Sequence, residues 1–314
     1  MSKKVLISIL IIILFLIGGY SFLKFSNEGK GEGLVGDMVI EHRYGQTQVK
    51  SNPEKIVVLD YGSLDILDKM EIEPIALPKS NLPEYLSKYN DEKYSDLGAL
   101  LEFDMEKINE LKPDLIIIEG RQGKYYEELS KIAPTIGLGT VNNDHFKSLE
   151  DNIFILSKIF GKDAFGKKEV EKINKELDEI NNKTTSSENN ALIFMVNKGS
   201  ISVFGQGSRF GMIYDKFGFK CADENLSGEN NHGENVSYEY ILSKNPEYIF
   251  VIDKSVIVGG EQKSAKEIME TDIVKNTNAY KNGKIIYLDP KAWYLGGSGI
   301  SSTEIMISEI KKSL

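Results

Sequence analysis

The sequence predicts an α/β protein of two similar lobes, each built on a parallel-rich sheet, joined by a single long helix. Three observations carry that reading. Asp163 to Asn182 reads DAFGKKEVEKINKELDEINN, with Val170, Ile173, Leu177 and Ile180 recurring at three- and four-residue steps among Lys and Glu, the pattern of a helix with one buried stripe. At about 1.5 Å per residue such a helix runs roughly 30 Å, enough to cross a small domain. A like unit stands on either side of it: Glu106-Lys-Ile-Asn-Glu-Leu-Lys-Pro113-Asp-Leu-Ile-Ile before, and Glu239-Tyr-Ile-Leu-Ser-Lys-Asn-Pro246-Glu-Tyr-Ile-Phe after. In each, a short helix carrying a Glu ends at a Pro, which cannot continue it and pushes its predecessor out of the α region, and a buried strand follows. Finally, 314 residues give two domains of ordinary size, each with its own core.

The expected boundaries are a membrane anchor or signal over 1–27, a flexible tether over 28–36, a first lobe over 37–161, the bridging helix over 162–183 and a second lobe over 184–314. Lys3 and Lys4 precede an apolar run from Val5 to Ile17, interrupted by Ser8 and extended by Gly18 to Leu23. That is near the lower limit for spanning a bilayer, and the lysines favour a cytoplasmic N-terminus with the rest exported. Gly-Gly-Tyr-Ser-Phe-Leu is a poor cleavage site, so an uncleaved anchor stands beside cleavage and secretion. Glu28 to Gly36 is rich in Gly and charge, as a tether is. The net charge of -9 argues against nucleic acid or an anionic membrane surface as main partner. Cys221 is the only cysteine, so no intrachain disulfide forms, and it reads as a small buried side chain.

Along the first lobe, Met38 to Val49 alternates around Tyr44-Gly45 as a hairpin, and Lys55 to Asp60 is a buried strand. A helix over Ser63 to Met70 and a strand at Pro74 to Leu77 follow, then a long tyrosine-bearing loop from Pro78 to Asp104, of a length often functional. Strand Asp114 to Gly120 delivers Arg121. Ligands bind at the carboxyl ends of strands in open α/β sheets, so Arg121 either faces a ligand or is a solvated arginine capping a loop. Strand Thr135 to Leu138 and a helix over His145 to Phe160 complete the lobe.

In the second lobe, Thr184 to Asn190 reads as loop, and strand Ala191 to Val196 pairs with Ile201 to Phe204. Gly205-Gln-Gly-Ser-Arg-Phe-Gly211 lacks the Gly-Lys-Ser/Thr of a P-loop and reads as a turn presenting Arg209. Asp223 to Val236 is a polar loop in which His232 is either a ligand or simply solvated. Strand Tyr248 to Asp253 delivers Lys254. Strand Lys284 to Asp289 delivers Trp293, read as packing, and Tyr294, read as packing or ligand, before a closing helix. If both lobes present their strand ends to each other, Arg121, Arg209 and Lys254 converge with His232 and Tyr294. Three cations suit an oxygen-rich anion, and imidazole with phenolate suits a transition metal with open positions. An anionic metal chelate satisfies both.

At this point the chain resembles the class III substrate-binding proteins of iron-siderophore ABC importers, and within them the catecholate binders of the enterobactin or bis-catecholate type. The likeness runs from Asp37 onward through His-Arg-Tyr-Gly-Gln-Thr, Asn-Pro-Glu-Lys-Ile-Val-Val, Leu-Lys-Pro-Asp-Leu-Ile-Ile, the bridging helix and Ile-Ile-Tyr-Leu-Asp-Pro. The resemblance implies the class III fold and a monomer that captures a ferric catecholate and hands it to an ABC permease. It implies His232 and Tyr294 as iron ligands and Arg121 and Arg209 as the cations facing catecholate oxygens. A third arginine of that pattern is Lys254 here, which keeps the charge and loses the fork. It further implies Glu106 and Glu239 as docking points for permease arginines. Iron then arrives within the siderophore, and no intrinsic cofactor is expected. This chain lacks the lipidated cysteine of Gram-positive members, which leaves its N-terminal helix as the tether. Haem, cobalamin or a hydroxamate chelate on the same fold is the alternative. An exported two-lobed enzyme is the other, against which His42, His145 and His232 stand without a Gly-x-Ser-x-Gly elbow or zinc-protease motif.

Overall fold

The computed structural model describes residues 37–187, 189–228, 230, 232–259 and 263–314; the expected membrane segment 1–27 and tether 28–36 lie outside the described residues. A hairpin comes first, β1 (Asp37–His42) and β2 (Gly45–Lys50), turning at Arg43-Tyr44. β3 (Ile56–Val58) leads into α1 (Tyr61–Lys69), capped by Asp60, whose carboxylate accepts from Ser63 N at 2.8 Å. β4 (Ala76–Leu77), β5 (Ser95–Asp96), α2 (Met105–Leu111), β6 (Leu115–Ile118), β7 (Thr135–Gly137) and α3 (His145–Ile159) complete the first half. Its sheet runs β5-β4-β3-β6-β7 with every neighbouring pair parallel. β3 and β6 are buried at every position, which is why they read as unbroken Ile, Val and Leu.

The long helix α4 (Asp163–Ser186) leads to β8 (Asn190–Asn197), β9 (Ser200–Phe204), β10 (Lys220–Cys221), β11 (Glu234–Asn235), α5 (Tyr238–Lys244), β12 (Tyr248–Asp253), β13 (Ile285–Leu288) and α6 (Ile300–Ser313), with short helical turns between. The second sheet runs β11-β9-β8-β12-β13, with β10 added along the start of β8. β8, β12 and β13 are parallel, whereas β9 and β11 run antiparallel at one side.

The two Pro corners share one construction. Asp104 caps α2 by accepting from Lys107 N at 2.9 Å, and Ser237 caps α5 by accepting from Tyr240 N at 3.3 Å. Each helix ends on a left-handed residue, Lys112 (φ 47°) or Asn245 (φ 42°), directly before its Pro. Pro excludes right-handed helical backbone from its predecessor, and these two residues take the left-handed exit.

α4 buries Val170, Ile173, Leu177 and Ile180, the stripe read from the sequence. It is longer than expected, reaching Ser186 rather than residue 183. Thr184 and Thr185 hydroxyls donate back to the carbonyls of Ile180 (2.9 Å) and Asn181 (2.7 Å), so residues that favour loops are satisfied within the helix. At its start a Cβ on Gly166 would lie 2.4 Å from Ser157 Oγ of α3; the two helices meet where no side chain fits. Removing Leu177 to Ala is expected to cost about 2–5 kcal/mol, read by urea denaturation.

Two stretches differ from expectation. The segment from Pro78 to Asp104 is not an open loop: it holds a helical turn at Glu84–Asn90 and β5. Its tyrosines serve packing, with Tyr89 buried and donating to Asp68 at 2.9 Å and Tyr94 donating to Glu73 at 2.8 Å. The helix α6 follows the second sheet in sequence but docks on α1 of the first half. Asp65, buried in α1, accepts from Ser301 N (2.9 Å) and Ser302 N (2.8 Å) at the start of α6. Lys69 pairs with Glu304 at 2.7 Å, and Lys311 joins α6 to Glu176 of α4 at 2.8 Å. Among the described residues no helix is long and apolar enough to cross a membrane.

Candidate ligand-binding cleft

Each candidate side chain leaves the end of a strand or an adjoining turn. Tyr294 sits on a wide helical turn, Lys291–Leu295, just beyond β13. Asp289 starts that turn by accepting from Lys291 N (2.8 Å) and Ala292 N (3.0 Å). Lys291 Nζ donates to the Leu82 carbonyl at 3.0 Å, and Trp293 Nε1 donates to Glu309 at 2.7 Å. Trp293 is thus a buried packing residue that fixes the turn, as read from the sequence.

Arg121 follows β6. Its Nη1 donates to Glu119 at 2.8 Å and its Nη2 to the Tyr294 carbonyl at 2.9 Å. Arg209, in the glycine-rich turn after β9, donates to the same carbonyl at 2.8 Å. Lys254 directly follows β12 and is held by its own N–H on the Val196 carbonyl at 2.9 Å. All three cations surround one ring: the guanidinium carbons of Arg209 and Arg121 lie 4.0 and 6.0 Å, and Lys254 Nζ 5.0 Å, from the Tyr294 centroid.

This clustering sets the charge state of Tyr294. Burial pushes its phenol up, but hydrogen bonding from Lys254 and the fields of Arg209, Lys254 and Arg121 outweigh it, so the net shift is downward. The phenolate is therefore easier to form than in an ordinary tyrosine, which a metal ligand requires. Burial, then the facing Arg121, lowers the pKa of Arg209. The field of Glu119, which pairs with Arg121, opposes this and is smaller than that of Arg121.

Arg121, Arg209, His232 and Tyr294 all line one cleft of about 550 Å³. His232 is exposed and precedes β11, its N–H donating to Asn230 Oδ1 at 2.9 Å. Lys254 reaches the cleft only through Tyr294 and is not among its lining residues. The cleft has further walls that sequence reasoning passed over: Arg43, Glu119, His145 and Thr140. Arg43 stood inside the quoted His-Arg-Tyr-Gly-Gln-Thr, and Glu119 at a strand end, so position offered a signal for both. His145 is buried, and that burial pushes its imidazole down to about 4 against the field of Asp144. It is neutral, with Nε2 3.1 Å from Thr303 Oγ1 of α6. Among the described residues no group of three or more His, Cys, Asp or Glu side chains is placed to hold a metal ion. Besides its cations the cleft offers the His232 imidazole, the Tyr294 phenol, the neutral His145 held on Thr303 and the carboxylates of Asp60 and Glu119.

Glu106 and Glu239 are exposed in the first turns of α2 and α5. Cys221 is half-buried, donates to the Asp223 carbonyl at 3.1 Å, and has its thiol pushed up by burial.

Residues 56–292 match the periplasmic binding protein family. The chain belongs to that family. The petrobactin-binding protein YclQ of Bacillus subtilis is 44% identical over 294 residues, 92% of each chain. Its crystal structure matches this periplasmic binding protein with a TM-score of 0.85, covering 88% of this chain and 98% of the other. The ferric-anguibactin-binding protein FatB of Vibrio anguillarum is 35% identical over 280 residues, 88% of this chain and 87% of its own. The catecholate-siderophore binding protein VctP of Vibrio cholerae is 37% identical, with a TM-score of 0.83 over 88% of this chain and 99% of the other. The α/β fold of two lobes expected from the sequence is that of this family, and its members here are binding proteins rather than enzymes.

Proposed function

We propose that this periplasmic binding protein is the extracytoplasmic substrate-binding component of an ABC importer and captures a ferric siderophore with catecholate oxygens in its cleft. The observation that carries the reading is the three cations on one tyrosine whose phenol is shifted down. Catecholate oxygens bound to iron are anionic and match those donors through charge-assisted hydrogen bonds. A tetradentate bis-catecholate leaves two of the roughly octahedral positions of ferric iron open. Tyr294 and His232 fill them. Among the relatives, the ferric-anguibactin-binding protein supports a ferric ligand and the catecholate-siderophore binding protein supports the catecholate oxygens.

The test is a titration of residues 37–314 with a ferric bis-catecholate, following Trp293 and tyrosine fluorescence. Saturable quenching with tight affinity is expected. Saturation by haem, cobalamin or a ferric hydroxamate in its place would overturn the catecholate reading.

Glu106 and Glu239 are the proposed docking points for permease arginines, one on each lobe, in equivalent first turns. Reversing both to Lys is expected to stop uptake of labelled ferric siderophore by cells while chelate affinity stays unchanged; normal uptake would remove that role. The N-terminal segment is the proposed tether to the outer face of the membrane. Recovery of only a shortened, freely secreted protein would contradict it.

A further inference from the structure

We propose that Arg43, a third cation lining this cleft beside Arg121 and Arg209, reads a carboxylate on the part of the chelator that does not touch iron. The inference rests on the ferric-catecholate reading and goes beyond it by naming a group on the ligand and the residue that selects it.

The turn of the β1–β2 hairpin is seated in the first lobe. Arg43 N donates to the Gly137 carbonyl at 3.2 Å, and Gly137 N donates back to His42 Nδ1 at 3.2 Å. Tyr44 stacks on Tyr126 with centroids 4.9 Å apart and donates to the Glu119 carbonyl at 3.2 Å. The slot exists because three residues lack a Cβ. On Gly123 and Gly137 a Cβ would strike the Tyr44 side chain at 2.4 and 2.3 Å, and on Gly120 it would meet Arg43 Nη1 at 3.0 Å. Arg43 is thereby preorganised over Gly120, the residue before Arg121, and both guanidiniums line the same cleft.

The four cations differ in what they already hold. Arg121 has Glu119, Arg209 has the Tyr294 carbonyl, and Lys254 has the phenol. Arg43 is exposed, forms no salt bridge among the described residues, and spends one of its five N–H donors on the Leu138 carbonyl at 3.3 Å. A guanidinium with free, forked donors on the wall of a cleft that a second guanidinium also lines suits a carboxylate. Its place fixes which part of the ligand it meets. Arg43 also lines an adjoining groove with Val141, Asp144 and Phe154, whereas Tyr294 does not. It thus stands where the cleft meets this second groove, which neither Tyr294 nor His232 lines, so the group it meets is a part of the ligand that extends towards the groove rather than the metal.

The experiment compares two ferric chelates with identical catechol donors: bis(2,3-dihydroxybenzoyl)-lysine and the corresponding diaminopentane compound, which lacks only the carboxylate. The wild type is expected to bind the lysine chelate more tightly. Arg43→Gln is expected to lose about tenfold or more for that chelate, the low end for a hydrogen bond to a charged group at an exposed site, and little for the other, with Arg43→Lys recovering part of the difference. Equal losses for both chelates, accompanied by a lower melting temperature, would overturn the inference by returning Arg43 to a structural role. Unchanged binding of both by Arg43→Gln would overturn it too. Binding of neither chelate by the wild type would overturn the catecholate reading itself, and this inference with it.

Discussion

Replacing Arg209 by Ala is expected to weaken binding of a ferric bis-catecholate by about a hundredfold, as hydrogen bonds to a charged partner contribute about 1.5–3 kcal/mol. Arg209 is the cation nearest the Tyr294 ring, and its other guanidinium nitrogens remain available while one holds the Tyr294 carbonyl. Its loss acts twice. The ligand loses a donor, and Tyr294 loses one of the fields that lower its phenol, so the phenolate is harder to form at neutral pH. Arg209→Lys is expected to restore part of the second effect and little of the first, because an ammonium keeps the charge without the fork. Equilibrium titration checks both variants; a Lys variant as good as wild type would show that charge alone is read. For the same reason Lys254→Arg is expected to bind as tightly as wild type or more so.

A large effect on stability is expected at Asp65. Its buried carboxylate accepts two backbone N–H groups and the Ser302 hydroxyl at the start of α6. Asp65→Ala leaves these donors without a partner and opens a hole between α1 and α6, which costs about 3 kcal/mol or more and is read as a fall in melting temperature. A pH signature accompanies it. Burial, against the hydrogen bonds from Ser301 and Ser302, pushes the Asp65 carboxyl from 3.8 up to about 6. The folded state therefore binds this proton more tightly than the unfolded one. Its contribution to stability is fully present below the unfolded value of 3.8 and is lost as pH rises through about 6. Asp65→Asn removes the titration, so the wild type should gain on it as pH falls from about 6 to about 4. A constant difference across that window would contradict the assignment.

How much was legible in the sequence follows from the range of the contacts involved. The buried stripe of α4 and the twin Glu-to-Pro units are local patterns, and both stand in the structure with their registers intact. The ends of strands were equally visible, so Arg121, Arg209, Lys254 and Tyr294 could be named as neighbours before any fold was available. The C-terminal turn of α4 was missed because Thr and Ser score as loop formers until their hydroxyls close on carbonyls one turn back. β11 was missed because two residues in a polar loop pair only through β9. Arg43 entered only as part of a quoted motif, since its place in the cleft depends on three glycines scattered from 120 to 137. The docking of α6 on α1 joins residues 236 and 237 positions apart. No periodicity reports a contact of that span.

The central claim is that Tyr294 and His232 complete the coordination of iron carried in by a chelate. The most direct test follows the visible charge-transfer band of a ferric bis-catecholate on binding to the wild type, to Tyr294→Phe and to His232→Ala. The account predicts a band displaced on binding to the wild type, a different position with each variant, and weaker affinity for both. Tight binding by all three with one unshifted band would contradict direct ligation and leave both residues as walls of the cleft.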